Sequence, residues 1–215
     1  MLEGVKLVVF DLDGVLTETS KQHFLAWQSM AKKIGVTLEP AFEEKLKGVS
    51  RKESLDRILE LTDKTYTDLE KQTMQDEKNE HYQTLIKDFN ETNLFKGAKP
   101  LLKLLKAKGI LLALGSASKN GPTLIEALGI KEYFDYVVNP APLKSKPHPD
   151  IFKAPMKQYN LPAKSCIGIE DAYAGVSAIK AANMRAIGIG NKINLPHADM
   201  HFPNVLSLYN HIKSI

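Results

Sequence analysis

The chain has 215 residues, 43% hydrophobic and 25% charged, with a formal net charge of +4, the profile of a globular protein built as one large domain or one domain carrying an insertion. The modest charge comes without a dense basic run interleaved with aromatics, which argues against a nucleic-acid partner. No stretch approaches the ~20 apolar residues that span a bilayer, and Met1–Lys6 lacks the basic-then-apolar pattern of a secretory leader, so no membrane partner and a cytoplasmic location are expected.

In chain order, Lys6–Phe10 is a short apolar run that ends at Asp11 and reads as a first strand. Thr19–Ile34 has helical periodicity with Gly35 as its stop. Ser50-Arg51-Lys52-Glu53 is a capping box opening a helix through Leu61, and Thr67-Asp68-Leu69-Glu70 opens another to about Phe89. No strand pattern appears across this stretch, so residues 17–91 are expected to form an all-helical insertion, with 1–16 and 92–215 forming the core. From Ala98 onward the pattern alternates. Helices are expected at 98–108, 122–128, 149–159 and 174–182, with strands at 110–114, 136–138, 165–169 and 185–190. Strands apolar on both faces at βαβ spacing imply a parallel sheet covered by helices on both sides. Pro155 should kink the helix at 149–159 or split it into two turns. The single cysteine, Cys166, lies in an apolar run and is expected to be a buried structural thiol.

The residues that carry chemistry stand at strand ends, where open α/β sheets bind ligands. Asp11-Leu12-Asp13-Gly14-Val15 follows the first strand, and Gly168-Ile169-Glu170-Asp171 ends a later one. Two acidic pairs at one sheet edge repel unless a cation sits between them, and Mg²⁺ favours a few carboxylates with water and phosphate. Ser116 follows the strand at 110–114, and Ala117-Ser118-Lys119-Asn120 leads into a helix, an arrangement suited to phosphate. Lys146, in a loop stiffened by Pro147 and Pro149, adds a positive charge. Each residue alone is as readily a turn, a cap or a surface group; the ordered set is far more specific.

That order, Asp-x-Asp-Gly-Val, strand-end Ser, Lys-Pro and Glu-Asp, resembles the haloacid dehalogenase-like superfamily of phosphotransferases. The resemblance implies a Rossmann-like α/β core with a helical cap inserted after the first strand. It implies Asp11 as the covalent nucleophile and Asp13 as the general acid/base. Mg²⁺ would be held by Asp11, Asp13, Glu170 and Asp171, and Ser116 and Lys146 would hold the transferring phosphoryl group. A carboxylate needs no base to become a nucleophile, whereas Asp13 must carry a proton at the right moment; burial can raise it from its ordinary value of about 3.9.

Thr19, His23 and Trp27 recur every four residues and form one skewed helical stripe, which by itself reads better as a packed face with Trp27 in the core. Arg51 begins a helix after Gly48-Val49-Ser50, where the backbone N–H groups and the helix dipole already favour an anion. These stretches, with 116–121, resemble the sugar-phosphate mutases of the superfamily. A mutase needs a second, distal phosphate site. By that resemblance Arg51 supplies it with Lys78, Ser118 and Asn120, while Thr19, His23, Trp27, Gly48, Ser50 and Ala117 line the sugar site or the hinge. The implied reaction interconverts β-D-glucose 1-phosphate and D-glucose 6-phosphate through glucose 1,6-bisphosphate, in a monomer whose partner is a small sugar phosphate. The alternative is a sugar-phosphate phosphatase of the same superfamily. A receiver-type signalling domain shares the aspartyl phosphate but needs no lid, and an inert binding module would not need the full acidic set. Ala172 and Glu18 stand where a hydroxyl residue and Asp are also found.

Overall fold

The computed structural model describes residues 1–214. The chain forms two compact units: residues 1–18 with everything from Phe89 onward, and Thr19–Asp88. Strand β1 (Leu7–Phe10) opens the first unit, and every one of its residues is buried.

The second unit is helical. It contains α1 (Ser20–Lys33), α2 (Glu43–Leu46), α3 (Arg51–Leu59) and α4 (Asp68–Ile86). The starts of α3 and α4 follow from side chains that satisfy orphan backbone donors. Ser50 Oγ accepts from the Glu53 N–H at 3.2 Å. At Thr67 the capping box is reciprocal: Thr67 Oγ1 accepts from the Glu70 N–H at 3.3 Å, and Glu70 Oε2 accepts from the Thr67 N–H at 2.7 Å. Phe24, Trp27, Met30, Leu55 and Ile58 form its apolar core. The unit is tighter than the 17–91 expected from sequence. Thr17 and Leu94 form an antiparallel bridge, and Thr17 Oγ1 donates to the Asn93 carbonyl at 2.8 Å. Those bonds tie both connecting segments to the first unit.

The α/β unit continues with α5 (Ala98–Ala107), β2 (Leu111–Leu114), α6 (Gly121–Ala127), β3 (Tyr136–Val137), α7 (Asp150–Gln158), β4 (Cys166–Glu170), α8 (Tyr173–Ala181), β5 (Arg185–Ile189), β6 (Met200–Phe202) and α9 (Val205–Lys213). All strand pairs are parallel, in the order β3-β2-β1-β4-β5-β6. Leu7, Val9, Phe152, Cys166, Val176 and Ile179 belong to the core beneath it, so Cys166 is a buried packing residue. Fully burying a large aliphatic or aromatic side chain contributes about 1.5–3 kcal/mol, which is why these apolar strands seek cover on both faces. One device recurs on both flanks of the sheet. Asp135 accepts from the Leu112 N–H and pairs with Lys106, and Asp199 accepts from the Ala186 N–H and pairs with Lys180.

Pro155 does not split its helix. α7 runs through it as one element with Pro155 buried; it forgoes one backbone hydrogen bond and keeps its packing. β6 and α9 lie beyond the elements expected from sequence. β6 has three residues, too few for a period to register. α9 starts at Asn204, whose Oδ1 accepts from the Ser207 N–H at 2.9 Å, and buries Val205, Leu208 and Ile212.

Candidate active site

The sheet order changes direction between β1 and β4: β1 is followed along one side by β2 and β3, while β4, β5 and β6 extend the other. Ligands of open parallel sheets bind beyond the carboxyl ends of strands at such a switch point. The register makes this concrete. Phe10 pairs with Leu114 on one side and Ile169 on the other, so the next residues, Asp11, Gly115 and Glu170, stand level with one another at the strand ends. The Asp11 N–H donates to the Ile169 carbonyl at 3.0 Å, and the Gly115 N–H donates to the Phe10 carbonyl at 2.7 Å.

Lys146 joins the two acidic strand ends. Its ammonium donates to Asp11 Oδ1 and to Glu170 Oε1, each at 2.6 Å, and lies 5.3 Å from the centre of the Phe152 ring. All three residues are buried. Burial alone would lower the lysine's pKa, but Asp11 and Glu170 outweigh it and hold the ammonium above its usual range. Asp11 is also raised, but here burial dominates: it pushes the carboxyl up to about 7, Lys146 opposes, and Glu170 and Asp13 add repulsion. Asp171 is likewise held well above the carboxylate range, by burial first and then by Glu170 and Asp11.

Glycines make room for this crowding. Gly14 has φ +75°, and a Cβ there would fall 1.9 Å from Asp171 Oδ2. A Cβ on Gly175 would fall 1.8 Å from Glu170 Oε1. At Gly14 the missing side chain is what leaves the Asp171 carboxylate its space. Gly175 escaped notice, because a glycine five residues past an acidic strand end carries no signal until α8 is seen to fold back over the carboxylate.

The acidic set fits a hard divalent cation. Asp11, Glu170 and Asp171 each offer a carboxylate oxygen, all within 4.8 Å of one another, and one buried ammonium cannot balance them. Glu170 is oriented by the protein itself: Oε2 accepts from the N–H groups of Asp171 and Ala172, each at 2.8 Å. The Ala172 contribution is a backbone one, so the missing hydroxyl at that position costs Glu170 nothing there. Asp13 sits in the turn after β1, where it bridges Thr17 and the Gly14 N–H donates to the Thr17 carbonyl at 2.8 Å.

Ser116 follows β2 and is buried. Its Oγ accepts from the Ser118 N–H at 3.1 Å, and Ser118 Oγ accepts from the Asn120 N–H at 3.2 Å. These nested turns satisfy the Ser118 and Asn120 amides, and as acceptors in them the two hydroxyls keep their own protons to donate. Ala117 lies within the same turn, and Asn120 is buried at the entrance to α6.

The remaining candidates gather inside the helical unit. Lys78 is buried, with its Nζ 2.7 Å from His23 Nδ1 and over the rings of Trp27 at 5.0 Å and Tyr82 at 4.8 Å. Burial, with Lys78 and Arg51 nearby, holds His23 well below its ordinary pKa. Trp27 belongs to the apolar core of the unit, so the packed-face reading of the stripe holds for it, although its ring also faces Lys78. Thr19 stands at the N-cap position of α1 without capping the helix; its Oγ1 accepts from the buried Tyr82 hydroxyl at 3.2 Å. Gly48, at φ +72°, turns the chain toward Ser50, the N-cap of α3. Arg51 is the first residue of α3, and its guanidinium donates to Asn79 Oδ1 at 2.7 Å. Tyr82 and Asn79 were not singled out from sequence. Tyr82 lies one helical turn beyond Lys78, a spacing that marks the shared face.

The family description for haloacid dehalogenase-like hydrolases matches residues 5–183. A β-phosphoglucomutase of Bacillus subtilis is 41% identical over 199 residues, covering 91% of this chain and 88% of the relative. A phosphorylated carbohydrates phosphatase of Thermotoga maritima is 27% identical over 195 residues, covering 88% of each. The crystal structure of a β-phosphoglucomutase from Clostridium difficile superposes with a TM-score of 0.94 at 41% identity, covering 98% of this chain and 96% of that one. With the strand-end carboxylates, serine and lysine placed as described, the chain belongs to the haloacid dehalogenase-like hydrolase family.

Proposed function

We propose that this chain interconverts β-D-glucose 1-phosphate and D-glucose 6-phosphate by way of an aspartyl phosphate at Asp11 and a glucose 1,6-bisphosphate intermediate. The observation that carries the reading is the buried Asp11–Lys146–Glu170 linkage at the sheet's switch point. Arg51, half-buried and committed to the first turn of α3, supports the mutase rather than the phosphatase form of the chemistry, as does likeness to β-phosphoglucomutases through both units.

Lys146 occupies Oδ1 of Asp11 and so leaves Oδ2 to attack phosphorus. As the phosphorus–oxygen bond to the donor sugar breaks, Asp13 gives its proton to the departing oxygen. In the second half the acceptor hydroxyl returns a proton to Asp13 and takes the phosphoryl group from Asp11. Ser116 and Lys146 donate to the transferring phosphoryl oxygens, where such charge is stabilised by position more than by covalent chemistry. Asp11, the Asp13 carbonyl, Glu170 and Asp171 would hold Mg²⁺, which when bound neutralises the gathered negative charge. Arg51 is assigned to the non-transferring phosphate, with Lys78, Ser118 and Asn120 as further candidates. Thr19, His23, Trp27, Gly48, Ser50 and Ala117 line the sugar site or the hinge.

The test is a product assay. β-Glucose 1-phosphate with a trace of bisphosphate is expected to yield glucose 6-phosphate well in excess of free phosphate. Stoichiometric free phosphate would assign the chain to the phosphatases instead.

A further inference from the structure

We propose that Tyr82 is a positioning residue that holds the His23–Lys78 pair in the geometry the sugar meets; this rests on the reading of those residues as part of the sugar site. Tyr82 is fully buried on α4, and its ring lies 3.9 Å from the His23 imidazole at 17°, a stacked pair. That stack fixes the plane of the imidazole. The same ring lies beneath the Lys78 ammonium at 4.8 Å, where the ring face attracts a cation. Its hydroxyl donates to Thr19 Oγ1 at 3.2 Å, so one side chain touches three residues of the expected site.

The contact between Lys78 and His23 then sets the tautomer. An ammonium only donates, so His23 Nδ1, 2.7 Å away, must carry a lone pair. The neutral ring keeps its proton on Nε2. The outcome is a fixed polar edge, an Nε2–H donor beside a cation, suited to the hydroxyl and phosphate oxygens of a sugar phosphate. Without the flat ring both groups keep their chemistry but lose their common orientation.

The experiment combines ¹⁵N NMR of histidine-labelled protein at neutral pH with kinetics. The wild-type His23 signal is expected to report a single Nε2–H tautomer. Tyr82→Phe keeps the ring and should keep that tautomer, with kcat/KM for β-glucose 1-phosphate within about tenfold of wild type, the range of one neutral hydrogen bond. Tyr82→Met fills similar space without a flat ring. It should give an averaged tautomer signal and lower kcat/KM by more than about tenfold, as expected when hydrogen bonds to charged groups are misplaced. Hydrolysis of a small aryl phosphate should stay unchanged. A doubly protonated or Nδ1–H His23 in the wild type overturns the proposal. So does a Met variant that keeps the wild-type tautomer and sugar turnover, or one that loses both reactions equally. The NMR result judges Tyr82 even if the protein makes no glucose 6-phosphate, so the two readings fail separately.

Discussion

At the scale of single residues, the site is a problem of placing charge where water cannot screen it. Arg51 shows how this turns into specificity. A small aryl phosphate needs only the residues around Asp11, whereas a sugar phosphate must also anchor its far end, and that binding energy can be used to position the reacting hydroxyl. Arg51→Ala should therefore lower turnover of β-glucose 1-phosphate by more than about tenfold, given roughly 1.5–3 kcal/mol for each charged hydrogen bond. Aryl phosphate hydrolysis should stay near wild type, and Lys should rescue only partly because it lacks the planar pair of donors. Equal loss in both steady-state assays, or loss in neither, would remove Arg51 from the distal site. His23 makes a second prediction, about stability. It is held neutral by burial, with the positive charges of Lys78 and Arg51 facing it. A histidine whose folded pKa lies below its unfolded value binds fewer protons when native, so its stabilisation is complete above about pH 6.5 and is lost as pH falls below it. Melting temperature should drop more steeply from pH 7.5 to 5.5 in the wild type than in His23→Gln. Parallel curves would mean that His23 is not held neutral.

Elements decide whether those residues meet. Strand β1 ends one residue before Asp11 and β4 ends at Glu170, and α8 turns back so closely that Gly175 has no room for a side chain. Gly175→Ala should favour α8 by up to about 1 kcal/mol in helix propensity yet push Glu170 off Lys146 and away from the acidic set. Turnover is expected to fall at least about tenfold, the loss of one charged hydrogen bond, while far-ultraviolet circular dichroism stays native; an active Ala variant would show that the Glu170 position is not needed. Much of this layer was legible in the sequence. Apolar runs ending in Asp-x-Asp and Glu-Asp, with helix starts at Ser50 and Thr67, carry local signals of two- and four-residue range. What escaped was tertiary. Gly175, Asn79 and Tyr82 acquire meaning only from the residue folded against them. Pro155 looked like a helix breaker because its buried packing is invisible along the chain, and β6 was too short to show a period.

At the scale of the whole molecule, the acidic site opposes its own fold, since one buried lysine faces several carboxylates, and burial first, then repulsion from Glu170 and Asp13, pushes Asp11 up to about 7. A divalent cation that binds only the folded chain should therefore stabilise it by mass action, by about 2.7 kcal/mol at a hundred times Kd. Thermal denaturation with and without Mg²⁺ should show that gain in the wild type and little of it in Asp171→Asn; an equal gain in both would place the ion elsewhere. Among the described residues no helix is long and apolar enough to cross a membrane. The most direct test of the central claim, covalent phosphoryl transfer through Asp11 to a sugar, follows one label. Protein is charged with a labelled small acyl phosphate, the label is located by peptide mass spectrometry, and the charged protein is chased with unlabelled β-glucose 1-phosphate. Label should sit on Asp11, be absent from Asp11→Asn, and pass into glucose 1,6-bisphosphate and glucose 6-phosphate faster than into free phosphate. Label on another residue, or release to water at a rate the sugar does not change, would contradict the account.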